Sequence, residues 1–430
     1  MRNKLKEKII DGVTWNIIKV CIQVINGLIT SLLLAKILID PKSYGEYSYF
    51  LMIGNICSTI GLYGYSIPIL QILGEEIDEE KAINKAVYFI KKCSLNFIIS
   101  LPCLIVIICV LASKNIIPLH TIYSLVVVII LCLAMWLLNI INTIFMGLKE
   151  FRYSNIISIA VSCIFSLFQV IIFINKVKVT ASAMNLIFAI ITILITVTAS
   201  CMFFIHYKKD IDLTFKLNKS RYQRKAKCVF FIQLCDIIVW DKSEIFFLGR
   251  YGLINSLGLY SFAYQITNSI SNVIQGVYSN LCIPIFSEVV KEDSEKAKSL
   301  FYNMVKFAVG TTTIIYMVTF LLLGFVVRIW LEKYLFALPV LYILFIGKIL
   351  SSTGAVAAAA IHVNNKSKLS VYTSYITAAV NLILDIILIK RYGHIGAAVA
   401  NTISQLIGMT LGIFVIVKYV KRSEERRVGK

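Results

Sequence analysis

Charge is scarce in this sequence: Asp, Glu, Lys and Arg make up 15% of 430 residues, against 58% hydrophobic side chains. A water-soluble fold of this length has too much surface to cover with so few polar groups, which excludes a soluble globular enzyme. Histidine is rarer still. His120, His206, His362 and His394 are the four present, near the ends of apolar runs, and form no HExxH or paired-ligand arrangement, so no metal centre is expected. No Walker A motif occurs, so the chain supplies no ATPase of its own, and no other pattern asks for a cofactor. The eleven cysteines lack CxxC spacing, and most, including Cys21, Cys57, Cys103, Cys109, Cys132, Cys163 and Cys201, sit inside apolar runs. A free cysteine there behaves as a small hydrophobe rather than as a metal ligand or disulfide partner.

Long apolar runs are what the sequence has instead, with a mean hydropathy of +0.82. LMIGNICSTIGLYGYSIPIL, YSLVVVIILCLAMWLLNIINTIF and AMNLIFAIITILITVTASCMFFI each reach the roughly 20 residues that cross about 30 Å of hydrocarbon. They are continuously apolar, whereas the strands of a membrane barrel are short and alternate. The predicted fold class is therefore an all-α polytopic membrane protein. Twelve transmembrane helices fit best, near 13–39, 47–70, 87–112, 119–146, 154–174, 180–205, 228–249, 256–287, 303–328, 335–361, 369–389 and 395–417. The first run is too long for a signal-peptide core and has no small-residue cleavage signature, so it reads as a permanent helix.

Basic residues test that count. With an inside N-terminus, the inside segments carry 29 Lys and Arg, eight of them between Lys208 and Lys227, and the outside loops carry nine. This is the bias of the positive-inside rule for twelve spans with both termini cytoplasmic. It also accounts for the net charge of +20: the excess flanks the membrane and faces anionic lipid headgroups. No zinc-finger spacing, RNP-like stretch or basic recognition helix accompanies it, so nucleic-acid binding is not expected.

A repeat lies within the chain. Gly45-Glu46-Tyr47-Ser48 and Gly258-Leu259-Tyr260-Ser261 both give G-x-Y-S at the start of a span, and both spans end in I-P-I, centred on Pro68 and Pro284. The spacing differs by three residues. Each copy is the second helix of a six-helix half, which predicts two six-helix bundles related by a parallel pseudo-twofold repeat. The expected organisation is an N-terminal bundle over 1–206, a basic cytoplasmic linker over 207–227, a C-terminal bundle over 228–420 and a hydrophilic tail over 421–430. That tail reads as cytoplasmic or as a non-native remnant.

Two bundles imply a cleft, whose polar lining lipid would otherwise penalise. The candidates are Lys19 and Lys36 in the first span, Asp236, Asp241, Lys242 and Glu244 in the seventh, Lys306 in the ninth, Lys348 in the tenth and Asp385 in the eleventh. Asp236, Trp240 and Glu244 recur at i, i+4 and i+8 and share one helix face. Asp236, Asp241 and Glu244 are therefore candidates for ion pairing or for a coupling cation, H+ or Na+. The competing reading has Asp241 and Lys242 marking a helix displaced toward the interface, with long side chains snorkelling outward. Lys19, Lys242, Lys306 and Lys348, if they converge, form a cationic chamber suited to phosphate or pyrophosphate. Arg250, at the outer mouth, either steers an anion or touches lipid headgroups. Gly393, Gly396, Ala397, Ala398 and Ala400 predict close backbone approach between the last two spans.

Three segments carry a resemblance. LLLAKILIDPKSYGEYSYF, EIFFLGRYGLINSLGLYSFAYQI and LIKRYGHIGAAVANTIS stand, in that order, where the Wzx-type polysaccharide biosynthesis flippases have a small-residue helix end with G-x-Y, an acidic residue before a Gly-basic pair, and R-Y-G-x-x-G-A-A-x-A. The chain resembles that family, within the multidrug/oligosaccharidyl-lipid/polysaccharide exporter superfamily; Glu244 stands where aspartate is usual. The resemblance implies a bacterial plasma-membrane carrier without covalent chemistry. It would move a polyprenyl-pyrophosphate-linked oligosaccharide, of O-antigen, capsule or another surface polymer, from the cytoplasmic to the outer leaflet by alternating access, alongside a polysaccharide polymerase and glycosyltransferases. A cation-coupled multidrug antiporter would prefer an acidic and aromatic cavity. A MurJ-like lipid II flippase is often longer. A membrane glycosyltransferase needs a larger extramembrane loop than 206–227.

Overall fold

The computed structural model describes residues 2–76, 78–113, 121–207, 212, 223, 226–227, 229–231, 233, 243–292, 294–363 and 367–428. Among the described residues the chain is helical throughout, and it forms two compact units, Met1–Ile254 and Asn255–Lys430. Among these described residues eight helices are long and apolar enough to cross a membrane, or nine if one bent pair is a single span. The chain is thus a multi-pass α-helical membrane protein. Large apolar side chains in mid-helix point outward, Ile99 at 64% and Leu194 at 62% exposure, which only a lipid solvent tolerates over so many turns.

The first unit holds α1 (Arg2–Ile37), α2 (Pro41–Leu62), α3 (Ser66–Gly74), α4 (Glu79–Ser113), α5 (Ile122–Gly147), α6 (Phe151–Ile174), α7 (Ala181–His206) and the short α8 (Ser243–Arg250). Local chemistry fixes several ends. Pro41 opens α2, where its missing N–H is no loss. Thr121 and Ser124 form a reciprocal capping box on α5. Asp78 accepts from Glu80 N at 3.2 Å and pairs with Lys81 at 3.2 Å; the hydrogen bond from Lys81 holds its carboxyl below the usual range.

α1 and α6 run parallel in a constant register. The Arg152 guanidinium lies 5.3 Å from the Trp15 ring centroid, Asn26 Nδ2 approaches Cys163 Sγ at 3.1 Å, and the Thr30 and Ser166 hydroxyls are 3.1 Å apart. Each pair is 136 or 137 residues apart in sequence, so a polar seam binds the two helices where apolar faces would have no drive to associate in lipid. The core beside it centres on Phe97 stacked on Trp136 at 4.6 Å, with Ile69, Phe89 and Phe203 around them.

The second predicted span is broken. Tyr63 and Gly64 take left-handed φ of 49° and 68°, and α2 meets α3 at 51°. In the second unit, by contrast, the helix carrying the other repeat copy, α9 (Ile254–Glu292), is continuous. The G-x-Y-S tyrosines are nonetheless buried in both copies, Tyr47 at 7% and Tyr260 at 1% exposure.

The second unit continues with α10 (Ser294–Trp330), a 3-10 turn (Glu332–Ala337), α11 (Leu338–Val363) and α12 (Ser367–Val428). α12 contains a kink at Gly393, φ 57° and ψ −130°. Around it the chain folds back: a Cβ on Gly396 would lie 2.2 Å from the Leu388 carbonyl oxygen, and one on Gly408 3.3 Å from Thr377. These pairs sit symmetrically about the kink, and Ala397, Ala398 and Ala400 are fully buried. The apolar stretch Tyr372–Phe414 is therefore a helical hairpin, where the sequence predicts two spans with a short loop.

Candidate functional site

Membrane-embedded charge is the first signal for a transport site, because an ionised side chain at the bilayer centre costs about 2.5–3.5 kcal/mol even on insertion scales. In the second unit Lys348 is such a group. It lies on α11, 8% exposed, with its ammonium 5.4 Å from the ring centroid of Tyr264 on α9. Tyr264 in turn stacks on Tyr260 one helical turn earlier, at 5.7 Å and 20°. Two tyrosines at i and i+4 thus present a continuous aromatic face beside the cation, an arrangement worth about 2 kcal/mol when desolvated. Gly347, next to Lys348, lets α11 close on α12, where Thr402 Oγ1 donates to the Ile343 carbonyl at 3.0 Å.

Asp385, on the first arm of the α12 hairpin, is fully buried, and its Oδ2 accepts from Asn381 Nδ2 at 3.3 Å. The i, i+4 spacing makes Asn381 a built-in donor to the carboxylate. Lys306 takes a different position. It is exposed on α10, beside exposed Phe307, within the first two turns of the apolar stretch Ser299–Trp330.

In the first unit, Glu244 on α8 is fully buried and its Oε2 accepts from Ser243 Oγ at 3.3 Å. Arg250 ends the same helix and is exposed, which places its positive charge at the negative end of the helix dipole. Lys19 is half-buried on α1, a turn beyond Trp15. Lys36 is exposed at the last turn of α1. Asp236, Trp240, Asp241 and Lys242 lie outside the described residues, as does the side chain of His362.

The aromatic partners are what sequence reading passed over. Tyr264 belongs to the quoted G-x-Y-S segment, yet nothing in a tyrosine within an apolar helix says that a lysine 84 positions later lies over its face. Asn381 was legible in principle, since a carboxamide one turn before a membrane carboxylate is a natural partner. Among the described residues no group of three or more His, Cys, Asp and Glu could hold a metal ion, and the described cysteines are free thiols.

The fold is similar to that of several solved transporters. A MATE family transporter of the MOP superfamily, inward-facing, superposes with a TM-score of 0.70 at 17% identity, covering 94% of this chain and 96% of that one. The lipid II flippase MurJ, inward closed, gives 0.68 at 15% identity, covering 94% and 87%. A MOP superfamily transporter from Pyrococcus furiosus gives 0.58 at 13% identity, covering 94% and 95%. No curated protein matches by sequence. At these identities the likeness is one of fold. The sequence profile of the polysaccharide biosynthesis proteins matches residues 9–290, more than half of the chain, and the chain belongs to that family.

Proposed function

We propose that this protein is a flippase that carries a polyprenyl-pyrophosphate-linked oligosaccharide from the cytoplasmic to the outer leaflet by alternating access. The observation that carries the reading is the buried Lys348 beside the Tyr260–Tyr264 face. A pyrophosphate needs a cation in a low-dielectric chamber, where lysine acts as a point charge. A sugar ring needs a flat apolar surface with polar edges, which stacked tyrosines offer.

In this reading Lys348 meets the pyrophosphate, with Lys19, Lys242, Lys306 and Arg250 as further cationic contacts along the route. Glu244, with Asp236 and Asp241, forms ion pairs or takes a coupling H+ or Na+. The chain spans the membrane twelve times as two six-helix halves, 1–206 and 228–420, joined by the basic linker 207–227, with both termini cytoplasmic. The 43-residue run Tyr372–Phe414 supports this count, since at 1.5 Å per residue it extends about 64 Å, twice the hydrocarbon thickness. The inside loops' basic excess supports the orientation.

Likeness in fold to MurJ favours a second reading, a carrier of lipid II. Thermal unfolding of the purified protein separates the two. A polyprenyl-pyrophosphate oligosaccharide that binds the folded state raises the unfolding midpoint of the parent and leaves that of Lys348→Ala unmoved. Stabilisation by lipid II alone establishes the second reading, and stabilisation by neither contradicts both.

A further inference from the structure

Two cations enter the hydrocarbon side by side in the first unit. The apolar stretch of α1 covers Ile18–Ile37 and that of α6 covers Phe151–Ile174, so Lys19 and Arg152 are each the second residue of a stretch long enough to span. The parallel register of the two helices, with partners 136 or 137 residues apart, brings Arg152 level with Trp15. Its guanidinium lies 5.3 Å from the Trp15 ring centroid. Lys19 follows Trp15 at i+4 and shares its face. Side chains on a helix lean toward its N-terminus, so Lys19 reaches back toward the same indole.

Aromatic side chains set the depth of this pair. Trp15 is half-buried, and Tyr153, beside Arg152, is 55% exposed; tryptophan and tyrosine at the ends of apolar stretches mark the headgroup level. Among the residues whose side chains are described, no carboxylate pairs with Lys19 or Arg152. Like charges gathered around one ring repel each other, and an anion held by both relieves that repulsion. A guanidinium set against an indole keeps N–H donors for a second partner. Glu150 supplies no side-chain cap to α6, so the positive end of that helix adds to the field. The paired side chains, not the helix end, define the site.

We propose that Trp15, Lys19 and Arg152 hold the phosphate of an anionic phospholipid between the first turns of α1 and α6 in the membrane. Charge complementarity selects an anionic headgroup, and the depth selects a lipid over a solute, as in other basic pockets between membrane helices. Arg152 meets the phosphate through its planar fork and Lys19 as a point charge, while the indole covers the lipid's glycerol end. The hydrogen-bonded pairs of the α1–α6 seam begin only at Asn26, so the lipid clamps the two helices below the point where their own polar contacts stop. Assignment to the cytoplasmic leaflet rests on the orientation proposed above; the site itself does not depend on the transported substrate. Lys19 also stands on the proposed route, where an arriving pyrophosphate displaces the phospholipid.

The test is thermal unfolding of the full-length protein, purified in a neutral detergent and titrated with phosphatidylglycerol, phosphatidylcholine or inorganic phosphate. Phosphatidylglycerol should raise the unfolding midpoint saturably, and the other two should not. In the double variant Lys19→Gln, Arg152→Gln the half-saturating phosphatidylglycerol concentration should rise about 30-fold. Lys178→Gln removes one charge from the loop beyond the far end of α6 and should leave it unmoved. Arg152→Lys keeps the charge and loses the fork; it should give a smaller rise, and it replaces the double variant if that does not fold. Equal stabilisation of the parent by phosphatidylcholine or by inorganic phosphate would overturn the assignment to an anionic lipid. A rise with Lys178→Gln as large as that of the double variant, or no rise in the folded site variants, would overturn the site.

Discussion

The ammonium of Lys348 lies 5.4 Å from the centre of the Tyr264 ring, and both side chains are buried in the second unit. A cation so placed is stabilised by the face of the ring. Tyr264→Phe keeps the aromatic face and should transport like the parent. Tyr264→Leu removes it and should weaken headgroup binding by about 2 kcal/mol, or ~30-fold. Binding measured by competition with a fluorescent lipid-linked pyrophosphate separates the two variants, and equal loss in both would contradict a role for the ring face.

The α12 hairpin should not tolerate a side chain at its crossing. Gly396→Leu must displace the Leu388 carbonyl, 2.2 Å from the position a Cβ would take, and should cost about 2 kcal/mol or more. Gly310→Ala, where nothing lies within 4 Å, should leave stability unchanged or slightly raised. Thermal unfolding of the two variants in detergent gives the comparison.

The α1–α6 seam should couple across its helices. Thr30→Val and Ser166→Ala each lose one hydroxyl of a pair 3.1 Å apart, and a double-mutant cycle should return about 0.6 kcal/mol of coupling. Additive losses would mean that the seam packs without bonding.

An epitope inserted after Asn218, in the basic segment, should be reached only from the cytoplasmic side of intact cells. Access from outside would reverse the proposed orientation.

Much of the fold was legible because lipid imposes a simple rule, length plus continuous apolarity. The runs predicted at 119–146, 154–174 and 180–205 correspond to α5, α6 and α7 within a few residues. Where local backbone decides, the rule is silent. Tyr63 and Gly64 break the second span although its apolar run continues into α3, and the equivalent helix α9 passes its own G-x-Y-S copy without a break. The difference lies in what each helix meets, since Gly64 accommodates Ala226 and Phe230. The candidate site divides in the same way. Lys348, Glu244 and Asp385 stand out in the sequence as charges in apolar runs, whereas the place of the Tyr264 ring beside the Lys348 ammonium comes from tertiary packing and not from its own sequence neighbourhood.

Transport of a lipid-linked oligosaccharide through a site that includes Lys348 is read out by movement of a fluorescent polyprenyl-pyrophosphate oligosaccharide across liposomes containing the purified protein. The parent should move the probe, and Lys348→Ala, inserted to the same level, should slow it about 10- to 100-fold, matching the ~1.5–3 kcal/mol of a hydrogen bond to a charged group. A parent that leaves the probe in place while exporting a cationic dye is a cation exporter and not a flippase of this substrate.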